Sequence, residues 1–194
     1  FFFFSHFGKQ ILESLREPLE DYKINISRVN SKVSYDTKFL FVAAMNPCPC
    51  GNLFSKNSSC ICTDKEIAKY QNTISSPILD RIDIYCAMGE ISQDDAPSLS
   101  SKQMSDMVLN AFKHQIERGQ SELNGKLSDA DISKYCILEN EAKELLNRAI
   151  TSYNLSQRGI NKTLKVGRTI ADLRDSQIIS KSDIMESLSY RMKR

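Results

Sequence analysis

Apolar residues recur at helical spacing between Lys9 and Glu20, where Ile11, Leu12, Leu15 and Leu19 share one side and Pro18 marks where the helix loosens. The pattern then changes period. From Tyr22 to Tyr35, Ile24, Ile26, Val29, Val33 and Tyr35 alternate with polar residues around Asn30-Ser31, which predicts a β-hairpin. Phe39 to Met45 (FLFVAAM) is a continuous apolar run, as expected of a strand buried on both faces of a parallel sheet. A loop rich in Pro, Gly, Asn, Ser and Cys follows over residues 46–63, then a short helix over residues 64–73 with Asp64 as its cap. Ile82 to Ala87 predicts a second buried strand, and residues 92–101, with Asp94, Asp95 and Pro97, predict a linker.

Beyond the linker every pattern is helical. Met104, Met107, Val108, Ala111, Phe112 and Ile116 form one stripe on a helix that starts near Ser100. Ala142, Leu145, Leu146, Ala149, Ile150 and Tyr153 form a second, and Ile160, Leu164, Ile170, Ala171 and Leu173 a third. Ser180 and Asp183 open the last helix as a capping box ahead of Ile184, Leu188 and Met192. The expected architecture is α/β up to about residue 95 and a helical bundle after it, without internal repeats.

Composition narrows the class. With 194 residues, 41% hydrophobic and 26% charged, the chain can bury a core, and collagen, coiled coil, disordered tail and membrane protein are excluded. The Phe1–Phe4 run is too short for a signal peptide or a membrane span, so the expectation is a cytoplasmic protein without a membrane partner. A net charge of +2 gives no global attraction to nucleic acid, which leaves only local patches. The predicted hairpin is one such patch: Tyr22 to Tyr35 holds Lys23, Arg28 and Lys32 and no acid. A solvated edge hairpin whose charges discourage aggregation is the alternative reading.

Candidate chemistry centres on the cysteines. Cys48-Pro49-Cys50 and Cys60-Ile61-Cys62 form a C-x-C pair separated by nine residues, and four thiolates on one loop suit a tetrahedral Zn²⁺ site. The spacing departs from the two-residue spacer of zinc knuckles, so reduced thiols held by packing stay open beside the metal. Cys86 and Cys136 fall at apolar positions and are expected in the core. Asn46 ends the first predicted strand, where open α/β sheets bind ligands, and Asp80-Arg81 precedes the second. The chain has no G-x-x-x-x-G-K-[ST] phosphate loop; Gly119 to Gly125-Lys126 has one residue too many and continues with Leu127. With only His6 and His114, a histidine metal site or a Ser-His-Asp hydrolase is not indicated.

Taken together, REPLED (Arg16 to Asp21), the basic hairpin, FVAAMNPCPCG (Phe41 to Gly51), the second C-x-C, SSPILDRIDI (Ser75 to Ile84) and VGRTIADL (Val166 to Leu173) form a recognisable set. It resembles the magnesium chelatase-like AAA+ ATPases of the ComM/YifB branch, over about residues 7 to 192. The resemblance implies the C-terminal portion of a P-loop parallel sheet with a basic β-hairpin insert over residues 1–95, a linker and helix over 96–125 and an all-α lid over 126–194. It implies ATP and Mg²⁺ as cofactors of a full-length ATP hydrolase whose phosphate loop precedes Phe1. The Walker B acids are expected at Phe2 and Phe3, so this stretch alone is expected to be inactive.

By the same resemblance Asn46 is the sensor-1 residue that orients the attacking water, and Arg158 the sensor-2 contact to the γ-phosphate. Arg81 is an arginine finger acting in trans, which implies a homo-oligomeric ring, a hexamer. Arg168 is placed on the surface of a packed helix. Lys23, Arg28 and Lys32 are expected to grip DNA, and the implied activity is branch migration during natural transformation. Two alternatives stand beside it: the ATPase of a chelatase that inserts Mg²⁺ into a porphyrin, and a non-catalytic zinc-stabilised interaction module.

Overall fold

The computed structural model describes residues 7–29, 31–91 and 95–191, together with the backbone of Phe2–Phe3. The side chains of the Phe1–Phe4 start, Asn30 in the predicted hairpin turn, Asp94 of the predicted linker and Met192 of the last predicted helix lie outside the described residues. The chain divides into two compact units: residues 1–82 with 87–92, and residues 83–86 with 93–194.

In the first unit, β1 (Phe2–Phe3) is followed by α1 (Lys9–Ser14) and α2 (Arg16–Glu20). The single helix expected from the apolar spacing is thus two, broken at Leu15. Pro18 explains where the break falls: it lacks an N–H, and the interruption three residues earlier puts it in the first turn of α2, where that N–H has no helical partner. Tyr22, at φ +53°, turns the chain into β2 (Lys23–Arg28), which pairs antiparallel with β3 (Ser31–Asp36) in the predicted hairpin. The ladder runs from Lys23 opposite Asp36 to Arg28 opposite Ser31.

The apolar run that follows is not a buried strand. Only β4 (Ala43–Ala44) is extended in a ladder, parallel to β1, while Leu40 is 88% exposed and Phe39, Val42 and Met45 are open as well. Ile82 to Ala87 forms no strand at all, and Ile84 is exposed. The physical reason is the same in both places. A strand is held by its neighbours' backbone groups, and among the described residues β1 alone lies beside β4 and no strand flanks residues 82–87.

Two short helices close this unit. α3 (Asp64–Gln71) is capped by Thr63, one residue before the expected Asp64, in a reciprocal box with Glu66. α4 (Ser76–Leu79) carries Ile78, which packs with Leu12 and Ile74 in a small core that Phe7, Leu15, Phe41 and Leu79 border.

The second unit is helical throughout: α5 (Ser101–Glu117), α6 (Asp129–Tyr135), α7 (Asn140–Tyr153), α8 (Gln157–Leu173) and α9 (Lys181–Ser189). Ser180 caps α9 with the box its sequence suggests, closed by Asp183, and Ser100, the expected start of α5, forms a further box with Gln103. Leu127, Ile132, Cys136, Ala142, Leu146, Ala171, Ile179 and Ile184 make the core, bordered by Leu145, Ile160, Leu164 and Leu188. Gly167 lets α9 approach α8, since a Cβ there would stand 3.2 Å from Ile184 Cδ1 and 3.4 Å from Ile179 Cγ2. The α5 stripe is only partly used, for Ala111 is buried and Met104, Val108, Phe112 and Ile116 are exposed.

Two residues are not where the sequence put them. Cys86 is exposed, having no strand around it to bury it. Arg168 is fully buried. It is accommodated because its guanidinium is satisfied on every side, by Asp172 and by the carbonyls of Gln177 and Ser176. Arg118 brings a second guanidinium to Asp172, and the Asn124 amide adds a hydrogen bond to the same carboxylate at 2.8 Å.

Candidate functional site

The loop after β4 carries the thiols. Gly51, at φ +83°, turns it so that its N–H donates to the Cys48 carbonyl at 3.1 Å, a conformation a side chain would strain. The turn also brings Gly51 beside Asn46, whose Nδ2 lies 3.8 Å from where a Cβ would stand. Two further contacts pin the loop: the Gln71 amide of α3 donates to the Pro47 carbonyl at 3.0 Å, and Glu90 accepts from Ser55 Oγ, the Lys56 N–H and Asn57 Nδ2. The Ser55 hydrogen bond, opposed by desolvation and aided by the Lys56 and Asn57 donors, holds the Glu90 carboxyl below the usual range. Nothing in the sequence pattern points to Glu90.

Within this frame Cys48 is buried and Cys50, Cys60 and Cys62 are partly covered. Cys48 Sγ lies 3.4 Å from Cys50 Sγ and 3.6 Å from Cys60 Sγ, Cys50 and Cys60 are 3.6 Å apart, and all four sulfurs fall within 4.8 Å of one another. Four Zn–S bonds of about 2.3 Å in a tetrahedron set sulfurs about 3.8 Å apart, so the cluster matches a tetrahedral thiolate set. The thiols are not equivalent. Backbone N–H groups of Asn52 and Ile61 draw Cys50 down to about 6. For Cys62 the Cys50 backbone hydrogen bond pulls downward, but desolvation and the neighbouring thiols outweigh it and push it up to about 12. One thiolate forms readily and the next is resisted by the first, the arrangement a dication relieves.

The other residues singled out by sequence are spread over both units. Asn46 is exposed at the end of β4. Arg81 follows α4 and is largely covered, with Nε donating to the Arg16 carbonyl at 3.1 Å, NH1 to the Pro77 carbonyl at 2.6 Å and NH2 paired with Glu20 at 2.7 Å. Lys23, Arg28 and Lys32 are exposed on the hairpin. Lys23 and Lys32 share one face, whereas Arg28 lies with Ile24, Ile26, Val33 and Tyr35 on the other. Arg158 is exposed in the first turn of α8, an end of a helix where a cation gains nothing from the dipole.

Comparison with known proteins decides the family. Family models described as magnesium chelatase, subunit ChlI, and magnesium chelatase, subunit ChlI C-terminal, match residues 3–96 and 98–191. The chain belongs to the magnesium chelatase-like family. Its relatives place it on the ComM/YifB branch of that family. It is 36% identical over 190 residues to the uncharacterized protein YifB of Escherichia coli strain K12, covering 95% of this chain and 37% of that protein. To the competence protein ComM of Haemophilus influenzae it is 34% identical over 190 residues, again 95% of this chain and 37% of the relative. The uncharacterized protein Rv2897c of Mycobacterium tuberculosis is 30% identical over 186 residues, 93% of this chain and 37% of its own. The chain of this magnesium chelatase-like protein therefore spans little more than a third of the relatives it matches. Among the described residues no helix is long and apolar enough to cross a membrane.

Proposed function

We propose that these residues are the C-terminal part of an ATP-hydrolysing ring, a hexamer, that moves on DNA and promotes branch migration during natural transformation. The observation that carries the reading is the hairpin: Lys23, Arg28 and Lys32 open to solvent on both strands, against a single ladder acid, Asp36 opposite Lys23, in a chain otherwise near neutrality. Phosphate neutralisation needs no more than such a patch. The name of one relative, competence protein ComM, agrees with DNA as the substrate.

In this reading Phe39 to Met45 and Ile82 to Ala87 would become strands of a parallel P-loop sheet once neighbouring strands of a longer chain pair with them, which is consistent with the apolar side chains they expose here. Residues 126–194, within the helical second unit, are the lid, and residues 96–125 the linker and helix before it. ATP and Mg²⁺ would be held chiefly by a phosphate loop outside these 194 residues, because none lies within them. Asn46 then orients the attacking water, Arg158 contacts the γ-phosphate of its own subunit and Arg81 reaches the nucleotide of the next. Zn²⁺ on Cys48, Cys50, Cys60 and Cys62 fixes the loop behind Asn46. A second reading, the ATPase of a complex that inserts Mg²⁺ into a porphyrin, is favoured only by the family description.

The test uses the full-length protein. DNA-stimulated ATP hydrolysis is expected, and replacing Lys23, Arg28 and Lys32 with Ala should flatten the salt dependence of DNA binding by about 0.9 for each phosphate no longer neutralised. Hydrolysis indifferent to DNA, with binding unchanged in the triple variant, sinks the motor. A stable complex with a porphyrin-binding subunit would favour the second reading.

A further inference from the structure

The environment of Arg81 is unusual for a residue that has to deliver charge to another subunit. Its Nε and NH1 donate to the carbonyls of Arg16 and Pro77, and its NH2 faces Glu20 Oε2 at 2.7 Å. The side chain is only 14% exposed. Neither carbonyl cancels the charge of the guanidinium; Pro77 belongs to α4, whereas Arg16 belongs to α2 with Glu20. Glu20 is different, since a carboxylate at that distance neutralises the cation and stands where a phosphoryl oxygen would approach it.

The apolar core of this unit joins Leu12 of α1 to Ile74 and to Ile78 of α4, and Glu20 is not part of it. Glu20 is instead placed where the hairpin can move it. It ends α2, and two residues on, Tyr22 turns into β2. Asn25 of β2 donates to Glu17 of α2 at 2.8 Å, and Thr37, just past β3, donates to the Pro18 carbonyl at 3.0 Å and, through its N–H, to the Tyr22 carbonyl at 2.8 Å. Both strands of the hairpin are thus tied to the helix that carries Glu20.

We propose that Glu20 is a latch on Arg81: it holds the guanidinium in a neutralised resting position, and DNA engaged by the hairpin draws α2 and Glu20 away from it. The latch rests on the reading of Arg81 as the arginine finger. It makes Glu20 a positioning residue, acting through Arg81 and touching no nucleotide.

Steady-state ATP hydrolysis by the full-length protein, with and without a single-stranded oligonucleotide, tests this. Glu20→Gln should raise DNA-free turnover roughly fivefold, the factor that about 1 kcal/mol of lost resting-state stabilisation corresponds to, with KM for ATP unchanged. Turnover with DNA should stay at the wild-type value, so that the stimulation ratio collapses. Glu20→Ala should act in the same direction. Arg81→Ala should be slow under both conditions, and Glu20→Gln added to it should restore nothing. Wild-type DNA-free turnover and full stimulation in both Glu20 variants overturn the latch, as does slower turnover. If neither variant folds, the pair is a structural tie and the latch is overturned too. Full activity in Arg81→Ala is a separate outcome, and it removes the finger reading itself.

Discussion

Arg168 and Asp172 stand one turn apart on α8, both fully buried, with Arg168 Nε donating to Asp172 Oδ1 at 3.2 Å. Asp172 also receives Arg118, and the Asn124 amide joins the same carboxylate. A single acid thus balances two cations inside the helical unit. Removing it leaves a buried guanidinium facing the Gln177 and Ser176 carbonyls, and stranding a buried charge costs about 3–5 kcal/mol. Asp172→Ala should therefore lower the stability of the helical unit by that amount in denaturant titration. A loss under about 1 kcal/mol would show that the network relaxes or that water reaches it.

Gly167 precedes Arg168 and serves packing rather than chemistry. A Cβ at this position meets methyl groups of Ile184 and Ile179 and stands 3.9 Å from the Asp183 carbonyl. Gly167→Val adds further carbon where α9 crosses, and overpacking of this kind costs about 1–3 kcal/mol. The expected result is a lower Tm with the helical circular dichroism of the native state retained. An unchanged Tm would mean that α9 shifts freely along α8.

The helical unit was legible in the sequence because its signals are local. Ser100 as a helix start and Ser180 with Asp183 as a capping box announce their own helices, and the stripes on α7 and α8 mark their buried faces. Arg168 was not, because what buries it is a carboxylate that Arg118 shares, far back in the chain, and carbonyls beyond the helix end. The strands failed for a related reason. Phe39 to Met45 and Ile82 to Ala87 have the composition of central strands, but pairing is supplied by neighbours and composition does not supply it. The two C-x-C pairs marked four thiols as a candidate set with its metal left open, and their sulfurs lie within 4.8 Å of one another, whereas Cys86 was misplaced; Glu90, which ties the same loop from 35 residues beyond Ser55, left no trace in the pattern.

Asp175 joins α5 to the segment after α8. It sits at φ +56° with its carboxylate 2.7 Å from His114 Nε2 and hydrogen-bonded to the Asn110 amide, and the His114 contact, then Asn110, hold its carboxyl below the ordinary range. A carboxyl with a lower pKa folded than unfolded adds stability above its unfolded value, about 3.9, and loses it as pH falls through the folded value. Asn tolerates the left-handed backbone, so Asp175→Asn isolates the charge. Wild type should exceed the variant above pH ~5 and converge with it toward pH ~2. A difference that does not vary with pH would assign the effect to the hydrogen bonds alone.

The four-cysteine cluster makes the most direct prediction. Reduced protein should bind one Zn²⁺ per chain, and Cys60→Ser should abolish tight binding, as read by competition with a chromogenic chelator. The thiols determine the proton balance. Cys50, drawn down to about 6 by the Asn52 and Ile61 N–H groups, is already a thiolate at mildly alkaline pH. Cys62 is pushed up to about 12, and Cys60 is raised as well, its Cys62 backbone hydrogen bond outweighed by desolvation and by the thiols around it. Both must shed a proton to ligate, so binding near pH ~8 should release at least about two protons per zinc into weakly buffered solution. Affinity should accordingly fall steeply on acidification. Less than about half an equivalent of metal, or uptake without proton release, would mean that the loop is held by packing and not by a metal.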